Sequence, residues 1–136
     1  MSFEYTCTIL FVDDDKVLSY LFKRSFGKYF DVVFARDANE AIEILNSRQV
    51  HIILSDHHLP GKTGIDLLKI VKDKYPEIIR IFVTGSESIE IREEAEKECG
   101  ISHFIAKPWD VDNLMEVLKT SAEKNFNDSS PGITPD

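Results

Sequence analysis

Apolar runs of strand length recur along the chain, and each is followed by a longer segment with hydrophobic residues at helical spacing. The first run, Thr6 to Val12, stops at Asp13-Asp14-Asp15. Val17, Leu18, Leu21, Phe22 and Phe26 then fall on one helical face, which Gly27 closes. Phe30 to Phe34 predicts a second strand, and Asp37 with Glu40 has capping-box spacing ahead of Ala41, Ile42 and Leu45. Ile52 to Leu54 predicts a third strand, running into Ser55-Asp56. A turn-rich loop from Leu59 to Gly64 leads to a helix carrying Ile65, Leu68 and Val71, with Pro76 after its end. Ile79 to Val83 and His103 to Ala106 complete the strands. A charged helix from about Ser88 to Cys99 separates them, and a last helix from about Asp110 to Glu123 turns Val111, Leu114, Val117 and Leu118 inward.

Five βα units in succession predict an α/β fold with a parallel sheet covered on both faces and right-handed crossovers. Nearly continuous apolar strands agree, because a strand buried on both sides need not alternate. The expected domain spans residues 6–123. Residues 1–5 are a short N-terminal extension, and residues 124–136, polar and rich in turn formers, are expected to be a disordered tail or linker.

Length and charge narrow the function. The 136 residues make one domain. A net charge of −8 works against non-specific binding to nucleic acid or to an anionic membrane. No apolar stretch approaches bilayer length, and the N-terminus lacks the pattern of a signal peptide. Cys7 and Cys99 show no metal or CxxC spacing and are expected to be reduced core residues in a cytoplasmic protein.

In an open parallel sheet, ligands bind beyond the carboxyl ends of the strands. The first strand delivers Asp13, Asp14 and Asp15 there, the third Asp56, the fourth Thr84 and the fifth Lys107. Asp15 suits a helix N-cap. The remaining carboxylates would repel one another unless a divalent cation sat among them, and oxygen-only donors suit Mg²⁺. A hydroxyl and an ammonium opposite such an ion suit phosphoryl oxygens. The constellation predicts phosphoryl chemistry at a carboxylate, with Asp56 as nucleophile.

Four motifs then resemble those of the response-regulator receiver domain of two-component signalling, as in the single-domain chemotaxis regulator. They are the acidic cluster after Leu10-Phe11-Val12, Ser55-Asp56-His57-His58-Leu59-Pro60 followed by Gly64, Val83-Thr84-Gly85, and Ala106-Lys107-Pro108-Trp109. The resemblance implies a flavodoxin-like (βα)5 fold with strand order 2-1-3-4-5. It implies that Asp56 takes a phosphoryl group from a phosphohistidine on a sensor kinase or phosphotransfer protein. Asp13, Asp14, Asp56 and the backbone carbonyl of His58 would hold Mg²⁺, or Mn²⁺ in its place. Lys107 and Thr84 would contact the phosphoryl group, and Thr84 with Phe104 would switch the face formed by the fourth helix, fifth strand and fifth helix. His58 and Ser86 would modulate phosphoryl lifetime. A C-terminal effector domain and homodimerisation fit the resemblance, with no direct nucleic-acid binding by this domain. Two alternatives stand beside it: a receiver-like interaction module that works without phosphorylation, and a DHH-type metal phosphoesterase suggested by Asp56-His57-His58. The latter gives Thr84 and Lys107-Pro108 no role. Adjacent imidazoles at His57 and His58 are expected to diverge, and Trp109 either extends the switch face or packs at a loop.

Overall fold

The computed structural model describes residues 7–85 and 88–129. The order is β1 (Thr8–Val12), α1 (Lys16–Phe26), β2 (Asp31–Ala35), α2 (Ala38–Ser47), β3 (Ile52–Asp56), α3 (Gly64–Lys74), β4 (Ile79–Thr84), α4 (Ile89–Cys99), β5 (His103–Ala106) and α5 (Val111–Ser129). The strands pair in parallel in the order β2-β1-β3-β4-β5, the doubly wound flavodoxin-like arrangement.

Strand periodicity divides the core in two. Ile9 and Phe11, Ile52 and Leu54, Ile81 and Val83, and Ile105 face α1 and α5, where Phe22, Phe26, Leu114 and Leu118 cover them. The intervening Leu10, Val12, Ile53 and Phe82 face α2, α3 and α4, against Leu45, Leu67, Leu68 and Ala95. Both sets are apolar because both faces of the sheet are covered.

Local chemistry starts the helices. Asp15 caps α1, accepting from the amides of Val17 and Leu18 at 3.0 and 3.1 Å. Asp37 caps α2, but Glu40 accepts from the amide of Arg36 rather than closing the expected reciprocal box. A complete capping box forms at α3 between Thr63 and Asp66.

Three side chains expected to face inward do not. Val17 is 68% exposed, Leu21 48% and Val111 44%. The sheet-facing stripe of α1 is narrower than its apolar stripe, and Ser19, Phe22 and Phe26 fill it. The last helix also passes its expected end at Glu123 and continues to Ser129. The residues after Lys124 are polar apart from Phe126, and polar residues propagate a helix already nucleated. Val111 lies beside Pro108 at the carboxyl edge of the sheet, whereas Lys124 shares a cavity with His51 and Ile79 at the opposite edge. The expected extension at 1–5 and the segment 130–136 fall outside the described residues.

The charged side chains Glu90, Arg92, Glu93, Glu94 and Lys97 on α4 are exposed. Cys7 and Cys99 are free and fully buried, and burial pushes their thiols up to about 12 and about 11, where they are unreactive. Among the described residues no helix is long and apolar enough to cross a membrane.

Candidate functional site

The alternation that divides the core also builds the site. Phe11, Leu54 and Ile105 face α1 and α5, so the residues two further on, Asp13, Asp56 and Lys107, point to that side. Register brings them together: Val12 pairs with Ser55, and the next step along both strands is Asp13 beside Asp56. The ladders reach past the strand ends, with the amide of Asp13 bonding Ala35 at 3.0 Å and that of Lys107 bonding Thr84 at 2.8 Å.

The ammonium of Lys107 lies 2.8 Å from Asp13 Oδ2 and 3.2 Å from Asp56 Oδ2. Asp13 Oδ1 accepts from the amide of Asp15, and Asp56 Oδ1 from the amide of His57. Asp13 and Asp56 are buried at 2% and 7% exposure, while Lys107 is half-buried and Asp14 exposed. Two carboxylates against one ammonium leave the pocket a net negative charge. Burial pushes the Asp56 carboxyl above its ordinary value; Lys107 pulls it back in part, and Asp13 adds to the rise. Burial would lower the Lys107 ammonium, but its bonds to Asp13 and Asp56 outweigh that and hold it above its ordinary value.

Because burial raises Asp56 in the folded state, its ionisation opposes folding at neutral pH. That contribution favours folding below the unfolded carboxylate range and is lost as pH rises through the folded value. Asp56→Asn is therefore expected to raise the melting temperature at pH 7 by a few degrees. The gain should shrink as pH falls into the ordinary carboxylate range, which thermal melts at several pH values would show. A variant that melts lower than the parent at pH 7 would contradict this balance.

Thr84 and Phe104 lie on the opposite face, in step with Phe82. The Thr84 hydroxyl, 6% exposed, donates to the Ile105 carbonyl at 3.4 Å. The Phe104 ring meets Phe82 edge-on at 6.0 Å and lies under the Arg92 guanidinium at 5.0 Å. The imidazoles of His57 and His58, expected to diverge, instead meet edge-on with ring centres 5.1 Å apart, because the two residues fold back at the end of β3 rather than running on extended. His57 is buried against Phe82, its ring 5.7 Å away, whereas His58 is exposed. Trp109 packs edge-on against Phe11 and Phe22, both at 5.9 Å, so it closes the loop onto the α1 side of the core. Ser86 lies outside the described residues.

Gly64 was not among the expected site residues. Its amide donates to the His57 carbonyl at 2.9 Å, and a Cβ on it would lie 2.2 Å from the Asp56 carbonyl oxygen. A glycine opening a helix after a turn signals only the turn, so this close approach has no sequence signature.

Among the described residues no three His, Cys, Asp or Glu side chains are grouped to hold a metal ion. Two carboxylates converging on one cation nevertheless match how Mg²⁺ is bound, through one or two carboxylates and water.

A profile of the response regulator receiver domain matches residues 9–119. The chain belongs to that family. This receiver domain is 34% identical over 116 residues to the hydrogenase transcriptional regulatory protein HoxA of Cupriavidus necator, covering 85% of this chain and 24% of that protein. It is 29% identical over 109 residues to the DNA-binding transcriptional regulator NtrC of Proteus hauseri, covering 79% and 23%. The chain thus spans about a quarter of the length of these relatives. Among solved structures it resembles the receiver domain of an HD domain-containing protein from Pseudomonas fluorescens, with a TM-score of 0.87, 29% identity and coverage of 95% and 96%. A CheY-like receiver from Methanospirillum hungatei gives 0.85 at 26% identity, covering 90% and 98%.

Proposed function

We propose that this receiver domain takes a phosphoryl group from a phosphohistidine on a sensor kinase or phosphotransfer protein, and that Asp56 is the acceptor. The observation that carries the reading is the ammonium of Lys107 held against both Asp13 and Asp56. A carboxylate oxygen of Asp56 forms the O–P bond as the donor's N–P bond breaks, and the electron pair of that bond returns to the donor imidazole. Asp13, Asp14, Asp56 and the backbone carbonyl of His58 would hold Mg²⁺, whose charge would offset that of the phosphoryl oxygens. Lys107 supplies a cation to the same oxygens, and Thr84 exchanges its bond to Ile105 for one to the phosphoryl group. That exchange and the packing of Phe104 bias the α4–β5–α5 face between two states, because the phosphoryl group contacts them differently. His58 and Ser86 flank the acceptor as modulators of phosphoryl lifetime.

The output we infer is control of an effector domain or partner, as befits a domain that matches about a quarter of its relatives. The setting is the cytoplasm, where buried thiols such as Cys7 and Cys99 stay reduced. Incubation with acetyl phosphate and Mg²⁺ is expected to give one labile adduct by intact mass, absent in Asp56→Asn and in EDTA. No adduct from acetyl phosphate or from a phosphohistidine donor, on a folded chain, would overturn the reading in favour of an unphosphorylated interaction module.

A further inference from the structure

The start of β1 is held by a side chain. In a parallel ladder the amide of Thr8 would donate to a main-chain carbonyl of the neighbouring strand. It donates instead to the ring nitrogen Nδ1 of His51, at 2.9 Å. The main chain of the same residue closes the rest of this corner. The His51 amide bonds the Thr8 carbonyl at 2.9 Å, and the Ile79 amide bonds the His51 carbonyl at 3.0 Å. One imidazole thus completes the first rung between β1 and β3, at the edge of the sheet opposite the acidic pocket.

A ring nitrogen that accepts a hydrogen bond carries no proton, so His51 is neutral in this arrangement, with its proton on Nε2. Its half-burial agrees, since burial holds the imidazole below its ordinary value. The charges around it offset one another. Arg48 at the end of α2 and Lys124 on α5 are set against Glu77 ahead of β4 and Asp31 on β2. Asp31 accepts from the Thr8 hydroxyl and from Arg48, and Tyr75 is the remaining titratable group of the lining. With two cations facing two carboxylates, the hydrogen bond rather than the surrounding field decides the protonation state of the ring. His51 also lines a cavity of about 550 Å³ beside Leu45, Val50 and Ile78, which gives the ring somewhere to go.

We propose that His51 is a proton-operated latch. Neutral, it holds the first amide of β1. Protonated, it turns a second N–H toward that amide, loses the bond and swings into the cavity. Two donors facing each other at bonding distance leave both unsatisfied, whereas a cavity lined by polar groups and open to water satisfies the charged ring. The bonded, neutral form favours folding above the ordinary histidine range. That contribution is lost as pH falls through this range to the lower folded value. The latch acts at the pole where Lys124 of α5 lines the same cavity, and it does not depend on the phosphoacceptor reading of Asp56.

The test is hydrogen exchange at the Thr8 amide of the whole, isotope-labelled chain, read as protection relative to the free-peptide rate. It is measured at about pH 7.5 and about pH 5, on either side of the ordinary histidine value. Protection is expected to fall on the order of tenfold at the lower pH, the worth of one hydrogen bond. At the higher pH the ring nitrogen shifts should place the proton on Nε2. His51→Asn keeps an acceptor near the position of Nδ1 and does not titrate, so its Thr8 protection should be the same at both pH values. His51→Phe removes the acceptor and should leave Thr8 weakly protected at both. Equal protection at the two pH values in the parent, a loss at low pH that persists in His51→Asn, or a ring proton on Nδ1 at the higher pH would overturn the latch.

Discussion

Lys107→Met is expected to cost about 3 kcal/mol of folding stability at pH 7, more than any surface substitution on this chain. The ammonium is the shared partner of two buried carboxylates, at 2.8 and 3.2 Å. Methionine keeps most of the side-chain volume and removes the charge, which leaves Asp13 and Asp56 side by side and uncompensated. Two adjacent carboxylates cannot both stay ionised at low cost, so one of them binds a proton more tightly in the folded protein than in the unfolded chain. An acid raised in this way favours folding at low pH and loses that contribution as pH rises through its folded value. The deficit of Lys107→Met should therefore be large at pH 7 and shrink toward pH 5. Mg²⁺ should restore part of it at pH 7, because a cation that binds only the folded state stabilises that state by mass action. Urea unfolding at both pH values, with and without Mg²⁺, measures all three effects. A deficit that is the same at pH 5 and pH 7 would show that the lost interaction is packing rather than charge.

Gly64→Ala is expected to cost a similar amount, about 3 kcal/mol, and to slow acetyl phosphate labelling of Asp56. The new methyl group would meet the Asp56 carbonyl oxygen at 2.2 Å and the His57 Cα at 2.9 Å. Both neighbours are backbone at the end of a central strand, paired with β4 and held by the Gly64 amide, so neither can step aside without moving Asp56. The requirement is for space, since the positive-φ glycines of the described chain are Gly61 and Gly100. Gly61→Ala makes the useful comparison. Its φ is 81° and nothing lies within 4 Å of a Cβ there, so it should cost about 1 kcal/mol through backbone conformation alone and leave labelling unchanged. Equal loss of stability and labelling in the two variants would refute the close-approach account.

The five βα units were legible because each strand is an apolar run and each helix an amphipathic one, and hydrophobic burial demands both patterns. The same signal misplaced Val17, Leu21 and Val111. Apolar spacing shows which residues share a helical face, but not how wide a strip of that face the sheet covers. The end of α5 was hidden for a related reason, since Asn125 to Ser129 are polar apart from Phe126, and polarity reports on solvent rather than on backbone conformation. At the site, residue types pointed to Asp13, Asp56, Thr84 and Lys107. The division between them follows from a period of two: Asp13, Asp56 and Lys107 continue one face of the sheet, and Thr84 and Phe104 the other. Gly64 was legible as part of a motif but its role was not, because that role depends on how closely α3 approaches the Asp56 carbonyl, and no spacing along the chain encodes that distance.

The course of α5 separates traffic to the domain from attachment to it. The helix starts beside Pro108 at the acidic edge and carries Lys124 down to His51 and Ile79 at the opposite pole. A polypeptide joined beyond α5 is tethered at that far pole, with the length of the strands between it and Asp56. Its bulk does not shade the mouth of the acidic pocket. Access to the acidic pocket and attachment beyond α5 therefore lie at opposite ends of one small body.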